Sequence, residues 1–239
     1  MIFNLTGPIT GDSITAPIIG TDFTWTGGDG TYQVLDDGNG NWRIKFFSSG
    51  TFTPLKNMNI DAFLVGGGGG SGRSYCGGGG SGYTTTLRSI ILSANTTYSI
   101  VIGAGGVSPA SGAGTAGGQT TAFNGTALGG AGTSSGSKTS IKPGGSGGSG
   151  GGGGSTASNG MAKATGGTDG SNGTDSASTG GIGQGTTTRE FGETTGDLYA
   201  SGAGNNITST IANSGNGGKY LTDAAEGIVI IRQHKEANS

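Results

Sequence analysis

The stretch DAFLVGGGGGSGRSYCGGGG, residues 61–80, begins as a hydrophobic strand and runs directly into glycine. Glycine accounts for 58 of the 239 residues. Between residues 103 and 206, only seven residues are Val, Leu, Ile or Phe. A segment so poor in apolar side chains cannot offset its conformational entropy by ordinary hydrophobic burial. The middle of the chain is therefore either disordered or ordered by something other than a hydrophobic core.

Two ordered arrangements of a glycine-rich chain can be compared. A collagen triple helix needs glycine at every third position and abundant proline, whereas the glycines here form irregular runs and the chain has 5 prolines. Extended polyglycine with three residues per turn has no such requirement. Because glycine has no side chain, such threads can approach closely, and their backbone N–H groups can bond to the carbonyls of neighbouring threads. The composition favours a bundle of polyglycine-II helices.

Strand patterns lie on both sides of the glycine-rich stretch. In NWRIKFF, residues 41–47, the side chains of Trp42, Ile44 and Phe46 share one face, as in a half-buried strand. The preceding sequence DDGNG is typical of a hairpin turn. Strands are predicted at residues 31–35, 41–47, 59–66, 84–93, 97–103 and 227–233.

The order of these patterns predicts the fold. Residues 227–233 are almost entirely apolar, as in a strand buried on both faces. The strands flank a stretch of roughly 120 residues, which is too long for a structureless loop in a compact domain. We predict a mostly β or irregular fold: a small antiparallel β-sheet or sandwich joined to a bundle of polyglycine-II helices, with essentially no α-helix. Residues 1–50 are predicted to form a β-rich attachment region, and residues 51–239 a glycine-rich domain.

Charge and cysteine content exclude several classes of protein. The formal net charge is −2, and we find neither the basic cluster typical of nucleic-acid binding nor a polybasic membrane patch. Cys76 is the single cysteine, which excludes an internal disulfide and a multi-cysteine metal site. The sequence MIFNLTGPIT at the N-terminus predicts no secretory signal peptide, and no segment has the length and apolarity of a transmembrane helix.

Three motifs suggest a ligand site, but each lacks an essential part. FLVGGGGGSGR is not followed by the helix that a dinucleotide site needs. GSKTS has the wrong glycine–lysine spacing for a phosphate loop, and DDGNGNW has Trp42 where a calcium loop needs glycine. His234, the single histidine, is predicted to be a solvated terminal residue, and Cys76 a small packed side chain. We therefore expect no enzyme activity, no metal and no cofactor.

Larger side chains interrupt the glycine where the threads are expected to turn. They are Arg73, Tyr75, Arg189, Phe191 and Tyr199. Arginine and aromatic side chains on rigid loops are typical anchors for protein partners and sugars. We predict these five residues as candidate receptor contacts. The alternative is that they plug the ends of the thread bundle.

Several motifs occur in an order that resembles the glycine-rich domain found in many bacteriophage tail and tail-fibre tip proteins. The resemblance covers about residues 50–233. One departure is that LSANTTY, residues 92–98, lacks the proline usual in that family. The motifs are NMNIDAFLVGGGGGSG (57–72), LSANTTYSIVIGAGG (92–106), GQTTAFNGTALGGAG (118–132), TREFGETTGDLYASGAG (188–204) and AEGIVIIR (225–232).

The resemblance implies a virion protein that recognises the bacterial surface through loops at the end of a polyglycine-II bundle, similar to the detachable adhesins of T-even long tail fibres. It implies synthesis in the bacterial cytoplasm and localisation in the phage particle. The charge and hydropathy of the sequence lead us to expect no nucleic-acid binding and no membrane insertion. The implied partners are other virion proteins, contacted through residues 1–50, and a glycan or protein receptor.

Some alternatives stay open. Phage fibres are commonly trimeric whereas detachable tips can be monomeric, so both a homotrimer and a monomer are compatible with the resemblance. The main functional alternative is an architectural virion protein without a receptor role, such as a head decoration, head fibre or baseplate component. A third is an ice-binding protein, although the threonines cluster rather than recur at the period of a thread.

Overall fold

The computed structural model describes residues 16–137, 140, 142–151, 189–203, 212–219 and 221–234. In these ranges the regular structure is ten β-strands and one short 3₁₀ turn, Glu190–Gly192, without α-helix. No helix in the described ranges could span a membrane. The mostly β prediction is confirmed. The strands are β1 (Phe23–Trp25), β2 (Tyr32–Gly38), β3 (Asn41–Phe46), β4 (Gly50–Pro54), β5 (Met58–Val65), β6 (Thr84–Leu92), β7 (Tyr98–Val101), β8 (Thr120–Ala122), β9 (Gly125–Ala127) and β10 (Ile228–Gln233).

The strands form two five-stranded antiparallel sheets. The first sheet has the order β1-β4-β7-β8-β9 and the second has the order β2-β3-β10-β5-β6. β10, the last strand, lies between β3 and β5, where Ile231 is paired with Ile44 on one side and with Ala62 on the other. The prediction that the final strand returns to pair with early strands is confirmed.

The two sheets pack against each other through a shared apolar core. Phe52 of the first sheet and Phe46 of the second are both fully buried, and their rings meet edge to face with centroids 5.6 Å apart. In β3, Trp42, Ile44 and Phe46 are buried while the residues between them are half-exposed, which confirms the predicted alternation. Each buried phenylalanine stabilises the fold by about 1.5–3 kcal/mol relative to an exposed one.

The second sheet is buried on both faces. The side chains of Phe63 in β5 and Ile230 in β10 lie on the face away from the first sheet, in one cluster with Phe191 and Tyr199. Residues 189–203 thus form a third layer over the outer face of the second sheet, which we call the outer layer. Burial on both faces explains why β5 and β10 are almost continuously apolar in sequence.

Glycine-rich segments extend from one end of both sheets. Val65, the last residue of β5, is paired with the first residues of β6 and β10, so Gly66, Tyr83 and Gly227 meet at this end of the second sheet. In the first sheet, β7 ends and β8 begins at the same end, where Gly67 bonds to Gly118. We call the described parts of residues 66–83, 102–119, 128–151 and 212–227 the glycine layer.

The backbone hydrogen bonds of the glycine layer run between segments and repeat with a period of three. The N–H groups of residues 66 and 69 donate to one neighbouring segment, those of residues 67 and 70 to a second, and that of residue 68 to a third. Buried backbone groups are therefore satisfied by other segments rather than by a sheet ladder. The bonds run from Gly66 to Tyr83, Gly67 to Gly118, Gly68 to Ala225, Gly69 to Gly80 and Gly70 to Thr115, with N···O distances of 2.8–3.0 Å.

Close approach of backbones explains why these segments consist of glycine. A Cβ atom on Gly68 would lie 2.1 Å from the carbonyl oxygen of Asn216, and one on Gly82 would lie 2.0 Å from that of Gly66. Real Cβ atoms essentially never come closer than 3.0 Å to such an atom. Alanine at either position would push two segments apart.

Some sequence predictions concern residues outside the described ranges. Residues 1–15 of the attachment region, Lys138 of GSKTS and the glycine run beyond residue 151 are among them. Within the described part of residues 1–50, β2 and β3 share the second sheet with β5 and β10. The division of the chain at residue 50 stays a prediction.

Candidate functional site

Four loops meet at the end of the glycine layer that faces away from the sheets. The path of the chain shows this for the first loop. Residues 66–70 run away from β5, the chain turns, and residues 80–83 run back beside them to β6. The turn between these two segments is therefore far from both strands. We call the described parts of residues 72–76, 108–113, 134–144 and 219–223 the distal tip.

Backbone hydrogen bonds hold the loops of the distal tip together. The N–H of Arg73 donates to the carbonyl of Gly112 at 3.0 Å and to the hydroxyl of Ser135 at 3.1 Å. The N–H of Lys142 donates to the carbonyl of Tyr75 at 2.9 Å. The first three loops thus form one connected surface.

The fourth loop joins the tip through a carboxylate. Asp223 accepts a hydrogen bond of 2.6 Å from the N–H of Ser108, and the hydroxyl of Ser108 accepts one of 2.7 Å from the N–H of Ser71. Cys76 is buried beside them as a free thiol that donates to the carbonyl of Gly72 at 2.8 Å. The prediction of a packed cysteine is confirmed.

The structure divides the five candidate receptor contacts between two places. Arg73 and Tyr75 are half-exposed neighbours on the distal tip. Tyr75 has φ 45°, a left-handed conformation that helps to reverse the chain. Arg189 lies in the layer over the second sheet, where its Nη1 donates to the carbonyl of Gly196 at 2.9 Å.

Phe191 and Tyr199 also lie over the second sheet, and their side chains are buried. They are 2% and 7% exposed, with ring centroids 5.9 and 5.6 Å from that of Phe63. A buried ring that packs on a β-strand cannot contact a receptor while the protein remains folded. We therefore correct the sequence prediction for these two residues, whose side chains cover the outer face of the sheet.

A buried glutamate fixes the outer layer to the sheet. Glu190 is 2% exposed; its carboxylate lies 2.6 Å from Nη1 of Arg43 and 3.6 Å from Nζ of Lys45. Lys45 also donates to the hydroxyl of Tyr199 at 3.1 Å. Burial raises the pKa of the Tyr199 hydroxyl above its ordinary value, so this group stays a neutral hydrogen-bond partner.

A second ionic cluster surrounds Asp61 of β5, which is fully buried. One carboxylate oxygen lies 2.6 Å from Nδ1 of His234, and the other lies 3.2 Å from both Arg88 and Arg232. Arg232 also contacts Glu193 of the outer layer at 2.5 Å. The prediction that His234 is a solvated terminal residue is wrong, because its side chain is mostly buried and contacts the carboxylate of Asp61.

The cluster stabilises the ionised form of Asp61. Burial by itself raises the pKa of this carboxyl, but hydrogen bonds from His234, from the backbone N–H of Ser89 and from Arg232 outweigh that effect. The pKa of Asp61 is consequently lowered from its ordinary value of 3.8. A carboxyl whose pKa is lower in the folded state adds stability above its unfolded pKa, and this stability is lost as the pH falls through the folded pKa.

We expect the contribution of Asp61 to depend on pH. The free energy of unfolding of the wild type should exceed that of Asp61→Asn throughout pH 5–8, and the difference should shrink below about pH 4 as the carboxyl becomes protonated. Urea denaturation at a series of pH values would measure both curves. A difference that stays constant down to about pH 2 would contradict the assignment of an ionised Asp61.

A cavity of about 210 Å³ lies between the outer layer and strands β2, β3 and β10 of the second sheet. Its lining includes Trp42, Arg43, Glu190 and Arg232. The indole Nε1 of Trp42 is buried without a hydrogen-bond partner among the described residues. The cavity is bordered by ion-paired side chains of both signs.

The chemistry of these groups is that of structural ion pairs. Among the described residues, the charged neighbours of the His234–Asp61 pair are Arg88 and Arg232. In the described part of the chain, no group of three or more His, Cys, Asp or Glu residues could hold a metal ion. The distal tip instead offers backbone, hydroxyl and cationic donors on an exposed surface.

The chain matches the model of a known protein family. The model of a family described as a glycine-rich domain matches residues 47–233, from the residue after β3 to the last residue of β10. The matched range contains the glycine layer and the distal tip. No curated protein matches the chain.

Proposed function

We propose, from the premise that this chain belongs to the glycine-rich domain family, that it is a non-enzymatic structural protein of a bacteriophage. Its role would be that of a tail-fibre tip or receptor-binding component that recognises the bacterial surface through the distal tip. The observation that carries this proposal is that backbone hydrogen bonds tie the tip loops to one another at the end of an interlocked scaffold.

We also propose that the threads of the glycine layer are polyglycine-II helices. Three residues per turn would direct successive N–H groups to three different neighbours, and the donors of residues 66–70 follow that order. A bundle of such threads would be stiff because each segment is bonded to several others. Stiffness favours recognition, since loops that are ordered before binding lose little conformational entropy when the partner binds.

Within this proposal, Arg73 and Tyr75 are the receptor contacts retained from the sequence prediction. Arginine and tyrosine are enriched among residues that dominate binding energy. Other virion proteins would bind through residues 1–50, and the protein would be located in the phage particle as a homotrimer or a monomer.

One observation favours the alternative, an architectural virion protein without a receptor role. β6 is an edge strand of the second sheet, and Ile91 on it is 69% exposed. An exposed edge strand with an apolar side chain suits lateral pairing with a neighbouring subunit. A head decoration, head fibre or baseplate component would bury this edge against other subunits.

Binding of the purified full-length chain to bacteria tests the receptor role. We expect saturable binding to a subset of bacterial strains when labelled protein is measured on intact cells by flow cytometry. The double variant Arg73→Ala/Tyr75→Ala should bind at least about tenfold more weakly, a loss of about 1.4 kcal/mol. The control Thr24→Ala, an exposed position on β1, should bind like the wild type.

Two results would contradict this proposal. The first is unchanged binding by the double variant, which would contradict recognition through Arg73 and Tyr75, provided that its circular dichroism matches the wild type. The second is immunogold labelling of phage particles that places the protein in a repeated capsid or baseplate lattice with the distal tip covered. That second result would support the architectural alternative.

A further inference from the structure

The charges of this chain are separated along the sequence. After Asp61, no Asp or Glu occurs until Asp169. The interval of residues 62–168 nevertheless contains five basic residues, although the chain as a whole has a net charge of −2. The five are Arg73, Arg88, Lys138, Lys142 and Lys163. The part of the chain that supplies most of the distal tip is therefore basic.

The described tip keeps this excess of positive charge. Its loops bring together Arg73, Lys142 and Lys219, against a single carboxylate, that of Asp223. The Asp223 carboxylate already accepts the hydrogen bond from the N–H of Ser108. By contrast, the acidic residues over the second sheet are paired with cations, as in the clusters of Asp61 and Glu190. Among the described residues of the tip, cationic side chains therefore outnumber carboxylates by three to one.

The tip also offers many hydrogen-bond donors and few flat apolar surfaces. Around Arg73 and Lys142, its residues are mainly serine, glycine and alanine, and Lys142 Nζ lies 3.1 Å from the hydroxyl of Ser140. Among the described tip residues, Tyr75 is the one aromatic side chain. A binding surface with donors and cations fits a ligand rich in anionic acceptor oxygens. It does not fit single-stranded nucleic acid, which requires several aromatic rings for base stacking.

We propose that the distal tip binds an anionic glycopolymer of the bacterial surface whose charges are phosphodiesters. This inference rests on the proposed receptor-binding function and names the chemistry of the receptor. The planar guanidinium of Arg73 can donate two parallel hydrogen bonds to one phosphodiester. Lys142 can neutralise the phosphodiester of another repeat, while serine hydroxyls bond to the polyol between them. Several charges on loops that are hydrogen-bonded to one another match a polymer with regularly repeated charges.

The test measures binding of the full-length chain to immobilised poly(glycerol phosphate) by biolayer interferometry. Three polymers serve for comparison. Polygalacturonate carries carboxylates, dextran is neutral, and the third polymer is single-stranded DNA. We expect tight binding to poly(glycerol phosphate) alone, weakening by roughly tenfold or more between about 50 and 300 mM NaCl because bound counterions are released.

Variants locate the binding surface. Arg73→Gln and Lys142→Gln should each weaken binding to poly(glycerol phosphate) by about tenfold and reduce the salt dependence. The matched control is Lys56→Gln, which removes the same charge from a side chain that is 55% exposed beside the first sheet. The control should bind like the wild type. An equal effect of all three variants would overturn the assignment to the tip.

Binding of the same protein preparations to bacterial cells is also measured. This distinguishes failure of the phosphodiester inference from failure of the proposed receptor role. The phosphodiester inference would be overturned, and the receptor role left intact, if the protein bound cells saturably but had no affinity for poly(glycerol phosphate). The same conclusion would follow if the protein bound polygalacturonate or DNA as tightly as poly(glycerol phosphate). Absence of binding to any strain, together with a repeated lattice position in the particle, would overturn the receptor role itself.

Discussion

Replacement of Gly79 by alanine should destabilise the fold by roughly 3 kcal/mol or more. A Cβ atom on Gly79 would lie 1.8 Å from the carbonyl oxygen of Gly69, so the two central segments of the glycine layer would have to separate. Gly79 also donates to the carbonyl of Gly218 at 2.8 Å and accepts from the N–H of Ala203 at 3.1 Å. Separation would weaken these bonds too and expose buried backbone groups without partners.

Thermal unfolding followed by circular dichroism would measure this effect. For a chain of this length, a loss of about 3 kcal/mol lowers the melting temperature by roughly 6–12 °C. The control is Ala116→Ser, which adds one atom to an exposed side chain in the same layer and should change the melting temperature by less than about 2 °C. If the two variants had the same melting temperature, the backbones around Gly79 could not be as closely packed as they are in the structure.

Gly79 illustrates what the sequence could predict about the glycine layer and what it could not. Composition indicated that, if the middle of the chain is ordered, its backbone hydrogen bonds form between segments, and that is the arrangement of residues 66–70 and 79–83. The sequence could not predict which segments are neighbours, because runs of glycine have no side chains to distinguish one register from another. That information lies in the sheets, which fix where each segment starts.

The longer strands were predictable and the shortest were not. β3, β5 and β10 have apolar patterns over six to eight residues, long enough for alternation or continuous burial to be visible. β1, β8 and β9 have three residues each and no pattern of that kind. Their residues form strands because longer neighbours in the first sheet supply the hydrogen bonds and the core.

The candidate site was predicted in part. Arg73 lies at a turn of the glycine layer, where the interruption of glycine indicated that it would be. Phe191 and Tyr199 interrupt glycine in the same way, yet they cover the outer face of β5 and β10. A signal was present in the sequence, since strands that are apolar on both faces require a cover on each. The contact of His234 with Asp61 joins residues 173 positions apart, and no local pattern indicates such a pair.

The largest effect of a single charge should come from Asp61. We expect Asp61→Asn to destabilise the fold by about 3–5 kcal/mol at neutral pH, because removal of one partner from a buried ionic cluster leaves the others without compensation. The group most affected is Arg232, which is 5% exposed and, among the described residues, would keep only Glu193 as an ionic partner. The outer layer is affected as well, since Arg88 contacts both Asp61 and the carbonyl of Phe191.

A matched variant separates burial from charge. Asp197→Asn removes the same charge from a side chain that is 69% exposed and lies 3.4 Å from Lys45. Because an exposed ion pair is screened by solvent, its loss should change the free energy of unfolding by less than about 1 kcal/mol. Urea denaturation at pH 7 would compare the two variants. Equal effects would mean that Asp61 is solvated, and the cluster would then not be what holds residues 189–193 against the second sheet.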